Sequence, residues 1–251
     1  MVYKMTFTPM LEEYGRDLRL SAEGILKLFE NTATRHASAV GDSVEACLAR
    51  GEAWILCDWY VEIDSRTPMG ERVRVETFCR EAERGTAMLR DCRMCDGEGN
   101  EIARSTSKWA LVSKETGRIL PVTEDTLAKY GVRKKSVFQT PPSPVRHGRL
   151  PTTREKEIVL RRTDFDVHEH VHNLEYLNFA FDVIPRAAYT AHAVRAFHIR
   201  YLKPICGGER VFARCAETAW GYAVFIEADG VLAATVDLWT EHYESKQKLT
   251  F

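Results

Sequence analysis

The apolar residues of this chain predict the same order of elements twice, and this repetition constrains the fold more than any other feature. Each half opens with a short strand, continues with an amphipathic helix and ends in alternating runs joined by short turns. The helices are predicted from Ser21 to about Val40 and from Asn173 to Ile184. Because strands joined by short turns pair antiparallel, each half is predicted to be a helix packed on an antiparallel meander.

The alternation of apolar and polar residues also predicts the strands. In the first long strand it predicts one face made of Ile55, Cys57, Trp59, Val61 and Ile63. Turn residues at Asp96 to Asn100 and at Asp229 to Gly230 predict two hairpins. The predicted strands cover residues 2–7, 55–63, 73–79, 88–95 and 102–112 in the first half and 157–161, 193–202, 210–217, 222–228 and 231–241 in the second.

A proline-rich segment separates the two halves. Residues 140–153 read TPPSPVRHGRLPTT, and proline interrupts helices and central strands. We therefore predict an N-terminal domain over residues 1–139, a linker over 140–153 and a C-terminal domain over 154–251.

Composition narrows the classes of function. The chain carries 35 basic and 36 acidic residues, a balance that argues against a general nucleic-acid binder. The first residues lack the apolar run of a signal peptide, and no stretch approaches the roughly 20 apolar residues that cross a bilayer. Seven scattered cysteines, an odd number, fit reduced thiols better than a disulfide framework. We expect a cytoplasmic globular protein.

The densest group of ionisable residues lies directly before the second helix, where residues 164–173 read DFDVHEHVHN. Histidine titrates near neutral pH, and a carboxylate within reach can take its proton, so Asp166 with His168 or His170 is a candidate acid and base pair. The first turn of a helix has free N–H groups, here near Val171 to Leu174, that can hold a carbonyl oxygen gaining negative charge.

The first half provides an internal comparison for this motif. Before the first helix the chain reads RDLRLSAEGIL, which contains no histidine. The shared fold therefore does not require the polar groups of residues 164–173. We infer a single active site per chain, in the second copy.

This motif resembles a segment of the acyl-acyl carrier protein thioesterases of plants and bacteria, which has the form D-x-D-x-N-x-H-V-N-N before an aromatic-bearing helix. The similarity extends to an AWIL and tryptophan run at 53–59, a strand at 70–75, an S-x-W at 107–109 and a strand led by Tyr201. It therefore spans nearly the whole chain. The resemblance implies an α+β fold of two tandem hotdog domains, each a long central helix wrapped by a curled antiparallel sheet. It also implies a thioester hydrolase without a separate cofactor.

The resemblance implies roles for single residues as well. Asp166 would activate water or attack the thioester directly, and His170 would orient or protonate. His168 would polarise the substrate or hold the water. The N–H groups near Val171 and Asn173 are predicted to bind the carbonyl oxygen, and Asn173 is also predicted to cap the helix.

The chain departs from the family pattern at two positions. His168 stands where the family has an asparagine, and Pro204 stands where a family glutamate follows the tyrosine by three positions. The second acidic group that the family has is then missing unless Glu169, Glu175 or Glu209 takes its place. Cys206 is predicted to be a buried thiol at the end of a strand.

The implied partner is an acyl carrier protein that bears an acyl-phosphopantetheine group. Such carriers are acidic, so basic side chains are candidates for docking. These are Arg133, Lys134, Lys135, Arg146, His147, Arg149, Arg161 and Arg162. The first domain is expected to bind the acyl chain in an apolar tunnel with contributions from Trp54, Trp59 and Met88. A monomer with internally paired hotdog domains and a homodimer both fit.

Three other interpretations stay open from the sequence. The first is hydrolysis of a coenzyme A thioester, and the second is a protein that binds acyl groups without catalysis. The third is a metal site, because His168 and His170 on one face of a strand can join Asp166 as ligands. Solvated histidines are the simpler alternative, and His172 is predicted to be one. His36 and His192 show no evident partner in the sequence.

Overall fold

The chain forms two compact units, Met1–Pro141 and Pro142–Phe251. The computed structural model describes residues 1–82, 85–139, 150–191 and 194–240. Most of the predicted linker, residues 140–149, lies outside the described residues, as does His192.

In unit 1 five antiparallel strands pair in the order first, third, fourth, fifth, second. The longest helix packs against the first and third of these strands. The elements are β1 (Tyr3–Phe7), α1 (Ala22–Ala39), α2 (Val44–Ala49), β2 (Glu52–Ile63), β3 (Val73–Glu81), β4 (Met88–Cys95), β5 (Glu101–Ser113) and α3 (Glu124–Tyr130).

Unit 2 repeats this strand order. Its first strand pairs with its third and its second with its fifth, as in unit 1. The elements are β6 (Arg154–Ile158), α4 (Glu175–Val183), α5 (Arg186–Thr190), β7 (Val194–Tyr201), β8 (Val211–Thr218), β9 (Gly221–Ala228) and β10 (Val231–Thr240). The predicted duplication of a helix on an antiparallel meander is therefore confirmed.

The two central helices differ in length and in how they begin. Helix α1 starts as predicted, because the Ser21 hydroxyl accepts a hydrogen bond from the Gly24 N–H at 2.9 Å. Helix α4 is half as long, and its N-cap Leu174 provides no side-chain bond. The prediction that Asn173 caps this helix was wrong, since two residues of turn precede the helical hydrogen bonds.

The face predicted for β2 is only partly correct. Leu56 pairs with Trp109 and Asp58 with Lys108, so Cys57 is an extra residue in a β-bulge. A bulge shifts the alternation of side chains by one position. Ile55 is consequently 48% exposed and Leu56 only 3%, whereas Trp59, Val61 and Ile63 are buried as predicted.

Both predicted hairpins are present. Asp229 and Gly230 have φ values of 48° and 75°, the positive pair that a tight two-residue turn requires. The Asp96 carboxylate closes the other turn by accepting the N–H groups of Glu98 and Asn100 at 3.0 and 2.8 Å. The first strand of unit 2 was predicted three residues too late, and the short helices α2, α3 and α5 were not predicted.

A buried basic pair lies in unit 1 between α1 and β4. His36 is fully buried, and its Nδ1 lies 3.0 Å from Nη1 of Arg90. The imidazole stacks on Tyr3, and the edge of Tyr130 contacts it. Burial, together with the positive charges of Arg90 and the amino terminus, lowers the pKa of His36 from 6.5 to about 4. His36 thus has partners that the sequence did not indicate.

This pair predicts a specific loss of stability in acid. Between pH 6.5 and 4 the unfolded chain binds a proton on His36 that the folded chain excludes, so the free energy of unfolding falls by about 2 to 3 kcal/mol. The His36→Gln variant keeps an acceptor for Arg90 but does not titrate. Urea unfolding at several pH values should show the extra loss in the native chain, and parallel curves for the two proteins would contradict it.

Candidate functional site

The motif before α4 forms a tight loop rather than a strand. The N–H of Asp166 donates to the His170 carbonyl at 2.9 Å, and the N–H of Glu169 donates to the Asp166 carbonyl at 3.0 Å. Glu169 adopts a left-handed conformation with φ of 62°. The prediction that His168 and His170 share the face of a strand was therefore wrong.

The Asp166 carboxylate lies inside this loop. Its Oδ1 accepts the main-chain N–H of His168 at 2.8 Å and that of His170 at 3.4 Å. Asp166, His168 and His170 are half-buried, whereas Val167 and Glu169 between them are exposed. The loop thus brings the three predicted residues together through bonds of the Asp166 carboxylate to the main chain of His168 and His170. In the described part of the chain, no group of three or more histidine, cysteine or acidic residues is arranged to hold a metal ion.

Asp164 stabilises the loop through hydrogen bonds of its carboxylate and its carbonyl, a role that the sequence analysis did not assign. It is 1% exposed, and its Oδ2 accepts the Arg161 N–H at 2.7 Å while its Oδ1 accepts Arg161 Nε at 2.9 Å. Its carbonyl accepts the His172 N–H at 2.7 Å. The burial of its carboxylate marks Asp164 as a residue that stabilises the loop. Burial depends on the tertiary structure, so this role could not be read from the sequence.

The donors predicted for a substrate oxygen are only partly available. The N–H of Val171 donates to the Ile205 carbonyl at 2.8 Å, and the N–H of His172 is bonded to Asp164. The assignment of Val171 as an oxyanion donor therefore conflicts with the geometry. Among the described residues, the N–H groups of Asn173 and Leu174 have no acceptor. These two donors precede the first turn of α4.

A second loop, residues 202–210, borders the first. The Val171 to Ile205 hydrogen bond joins the two, and the Phe165 ring packs on Gly207, where a Cβ would lie 3.1 Å from Cζ. Cys206 is exposed in this loop, so the prediction of a buried thiol was wrong. The Glu209 Oε1 accepts the Cys206 N–H at 3.3 Å.

Two tyrosines line the junction between this second loop and α4. The Tyr201 hydroxyl donates to the Asn173 carbonyl at 2.9 Å, and the rings of Tyr201 and Tyr176 meet edge to face at 5.3 Å. Burial, with the nearby charges of Asp166 and Glu209, raises the pKa of Tyr176 to about 12. Tyr176 is therefore a neutral hydroxyl beside the candidate site at physiological pH.

A polar cleft of about 520 Å³ opens nearby between β6 and α4. Its lining includes Lys156, Asp164, Glu175 and Asp182, with charges of both signs. Asp166, His168 and His170 are not part of this lining. The cleft lies on the Asp164 side of the loop, and its mixed charges favour no single ligand.

Unit 1 contains the same loop with different side chains. Gly15 N–H donates to Arg19 O at 2.8 Å, as Asp166 does to His170, and Leu18 has φ of 58°, as Glu169 has 62°. The Leu20 N–H donates to Thr67 O at 2.9 Å, the counterpart of Val171 to Ile205. Gly15, Asp17 and Arg19 therefore occupy the positions of Asp166, His168 and His170.

An ion pair closes the loop in unit 1. Arg66 donates to both carboxylate oxygens of Asp17 at 2.7 and 3.1 Å, and its Nε donates to the Leu20 carbonyl at 2.9 Å. The counterpart of Arg66 is Pro204, since each lies four positions before the glycine of the shared Gly-Glu-Arg-Val sequence. Proline has no side-chain donor, so Pro204 cannot form the ion pair that Arg66 forms in unit 1.

Comparison with known proteins identifies the family of this chain. Residues 1–130 match the acyl-ACP thioesterase N-terminal domain, and residues 149–246 match the acyl-ACP thioesterase C-terminal domain. Together these matches cover most of the chain. The chain belongs to the acyl-ACP thioesterase family, whose members are thioester hydrolases.

Single relatives agree with this assignment. The chain is 25% identical over 272 residues to the chloroplastic oleoyl-acyl carrier protein thioesterase 2 of Arabidopsis thaliana, covering 97% of this chain and 70% of that protein. Across the first curated relatives that it matches, the chain spans between 51% and 70% of their own length.

Solved structures share the fold. The 12:0-ACP thioesterase from Umbellularia californica superposes with a TM-score of 0.84 at 18% identity, covering 95% of this chain and 96% of that one. An acyl-ACP thioesterase from Bacteroides thetaiotaomicron gives 0.83 at 18% identity, covering 95% and 97%. The predicted tandem hotdog fold is confirmed. Separately, none of the helices in the described ranges is long and apolar enough to span a bilayer.

The loop geometry predicts losses of stability of different size for its two aspartates. The Asp164→Ala variant leaves the Arg161 N–H without its buried acceptor and should lose roughly 1 to 3 kcal/mol of unfolding free energy. The Asp166→Gly variant should lose less than about 1 kcal/mol, because unit 1 builds the same loop with Gly15. Urea denaturation measures both. A larger loss for Asp166→Gly than for Asp164→Ala would contradict the loop assignment.

Proposed function

We propose that this chain hydrolyses the thioester of fatty acyl groups on acyl carrier protein, releasing the free fatty acid and the holo carrier and ending acyl-chain growth. The observation that carries the proposal is the pair of equivalent loops. One loop has glycine and the Arg66 to Asp17 ion pair, and the other has a carboxylate with two histidines and, among the described residues, no counterpart of that ion pair. Family membership supports the reaction class.

In this proposal Asp166 is the residue that activates water. Its Oδ1 is fixed by two main-chain N–H groups, which leaves Oδ2 to face a water molecule. The water oxygen attacks the carbonyl carbon while Asp166 takes one proton. The C–S bond then breaks, and the proton passes to the departing sulfur. A direct attack by Asp166 is the variant of this route in which water enters in a second step.

The two histidines assist that step in different ways. His170, which bonds through both its N–H and its carbonyl to Asp166, would orient the attack or deliver the proton to sulfur. His168 takes the place of the family asparagine. A neutral imidazole offers one donor and one acceptor, as an amide does, so His168 would polarise the substrate or hold the water.

The carbonyl oxygen would be held by the main-chain N–H groups of Asn173 and Leu174. Both donors are available, and they lie at the amino end of α4, where the helix dipole favours negative charge. Because main-chain donors are fixed by the fold, they need no rearrangement as the oxyanion forms.

We assign acyl-chain binding to unit 1. Trp59 and Met88 are buried there, and Met88 packs with Cys79 and Tyr130 next to partly buried Trp54. Such an apolar interior suits an alkyl chain. A cytoplasmic location and the oligomeric state remain predictions from the sequence.

The proposal is tested by measuring fatty acid released from a panel of acyl carrier protein thioesters. Asp166→Gly and His170→Gln should each lower turnover by at least about 100-fold, with little change in melting temperature. Arg19→Gln alters the equivalent position in unit 1 and should keep native turnover. Native rates in the unit 2 variants would remove the site assignment.

The substrate panel also separates the rival functions. Matched acyl-coenzyme A substrates turned over faster than the carrier thioesters would favour a coenzyme A thioesterase. Tight binding of acyl groups without any release of fatty acid would identify a non-catalytic acyl-binding protein.

Carrier docking makes a further prediction about surface charge. Lys134 and Lys135 are exposed, whereas Arg161 is already paired with Asp164 at 2.8 Å, and Arg146, His147 and Arg149 lie outside the described residues. The double change Lys134→Glu and Lys135→Glu should raise KM for the acyl carrier protein substrate about tenfold at low salt. KM for the coenzyme A thioester should stay constant, and an equal rise for both substrates would contradict docking at these lysines.

A further inference from the structure

The loops after β2 and β7 end in the same four residues. Comparison of the two copies identifies one unusual side chain. Residues 70–73 and 208–211 both read Gly-Glu-Arg-Val, and both glycines have positive φ, 92° and 84°. The backbone of the two turns therefore matches. Glu71 and Glu209 occupy the same position in it.

The two glutamates behave differently. Glu71 is exposed to solvent, as expected for a charged residue in a surface turn. Glu209 turns inward: its Oε1 accepts the Cys206 N–H at 3.3 Å, and its Oε2 is buried. Among the described residues, no donor reaches Oε2.

A buried carboxylate oxygen without a donor is costly in a folded protein, since the lost hydration is not replaced. The turn itself does not require this arrangement, because Glu71 forms the same turn while facing water. Unsatisfied groups of this kind concentrate where a ligand or a reacting group completes them.

The surroundings of Glu209 link its loop to the candidate site. Its loop is joined to the Asp166 loop by the Val171 to Ile205 hydrogen bond. The Tyr176 ring at the start of α4 lies within electrostatic reach of both Asp166 and Glu209. The Glu209 loop and the Asp166 loop therefore adjoin, and Pro204 stands where unit 1 has Arg66, the partner of Asp17.

We propose that Glu209 is a further catalytic residue of this site, whose buried Oε2 accepts a hydrogen bond from the water that attacks the thioester. The inference rests on the proposed thioesterase function. Water has two O–H groups, of which one gives its proton to Asp166 and the other is held by Glu209. Glu209 keeps its own charge throughout, and holding both O–H groups directs the oxygen lone pair at the carbonyl carbon.

The test uses Glu209→Gln in the full chain, with Glu71→Gln as the matched control. Glutamine can still accept the Cys206 N–H through its carbonyl oxygen, but it then presents an NH₂ donor to the water. We expect kcat on an acyl carrier protein thioester to fall by about 10- to 100-fold, with KM changed less than about threefold. Glu71→Gln should match the native chain.

Melting temperature distinguishes this role from a structural one. Because Glu209→Gln removes an uncompensated buried charge, its melting temperature should equal or exceed that of the native chain. A kcat within about threefold of native, or a lower melting temperature, would overturn the proposal.

A failure of the proposed role of Glu209 can be distinguished from a failure of the proposed thioesterase function. If the native chain releases no fatty acid, the function itself fails. If the native chain is active, Asp166→Gly is inactive and Glu209→Gln is fully active, only the role of Glu209 fails.

Discussion

An equivalent main-chain hydrogen bond in each unit joins the loop before the central helix to the loop after the second strand. It runs from Leu20 to Thr67 in unit 1 and from Val171 to Ile205 in unit 2. Because both partners are backbone groups, the bond constrains conformation without restricting side chains. The chain can therefore carry the same pair of loops twice, with an ion-paired set of residues in one unit and the proposed catalytic set in the other.

The two sets differ in how charge is compensated. In unit 1 Arg66 and Asp17 satisfy each other, and Glu71 faces solvent. In unit 2 the Asp166 carboxylate accepts loop N–H groups, and the buried Oε2 of Glu209 has no donor among the described residues. Stability given up at a functional site is a common cost of activity. Under the proposed function, the departures from the family pattern at His168 and Pro204 alter the site and do not abolish it.

Much of this architecture could be predicted from local patterns. The Ser21 cap, the Asp229–Gly230 turn and the repeated order of elements depend on neighbouring residues, and all three predictions were confirmed. The motif at Asp166 and His170 also stands out in the sequence, since dense ionisable residues occur in one of the two copies and not in the other; its catalytic role stays a prediction. Local chemistry was sufficient in these cases.

Features that depend on pairing between distant segments could not be predicted. The bulge at Cys57 is a register effect between β2 and β5, and no residue type marks it. The bond that occupies the Val171 N–H comes from Ile205, 34 positions away along the sequence. The inward turn of Glu209 contrasts with Glu71 in an identical four-residue segment, so only its tertiary surroundings decide it.

The most direct test of the central claim is a crystal structure with an acyl-pantetheine amide, in which nitrogen replaces the thioester sulfur and prevents hydrolysis. We predict that the carbonyl oxygen accepts hydrogen bonds from the Asn173 and Leu174 N–H groups, with Asp166 facing the carbonyl carbon. The loop at Gly15 in unit 1 should hold no carbonyl group. A carbonyl bound at the unit 1 loop, or one in unit 2 with Asp166 turned away from it, would contradict this account.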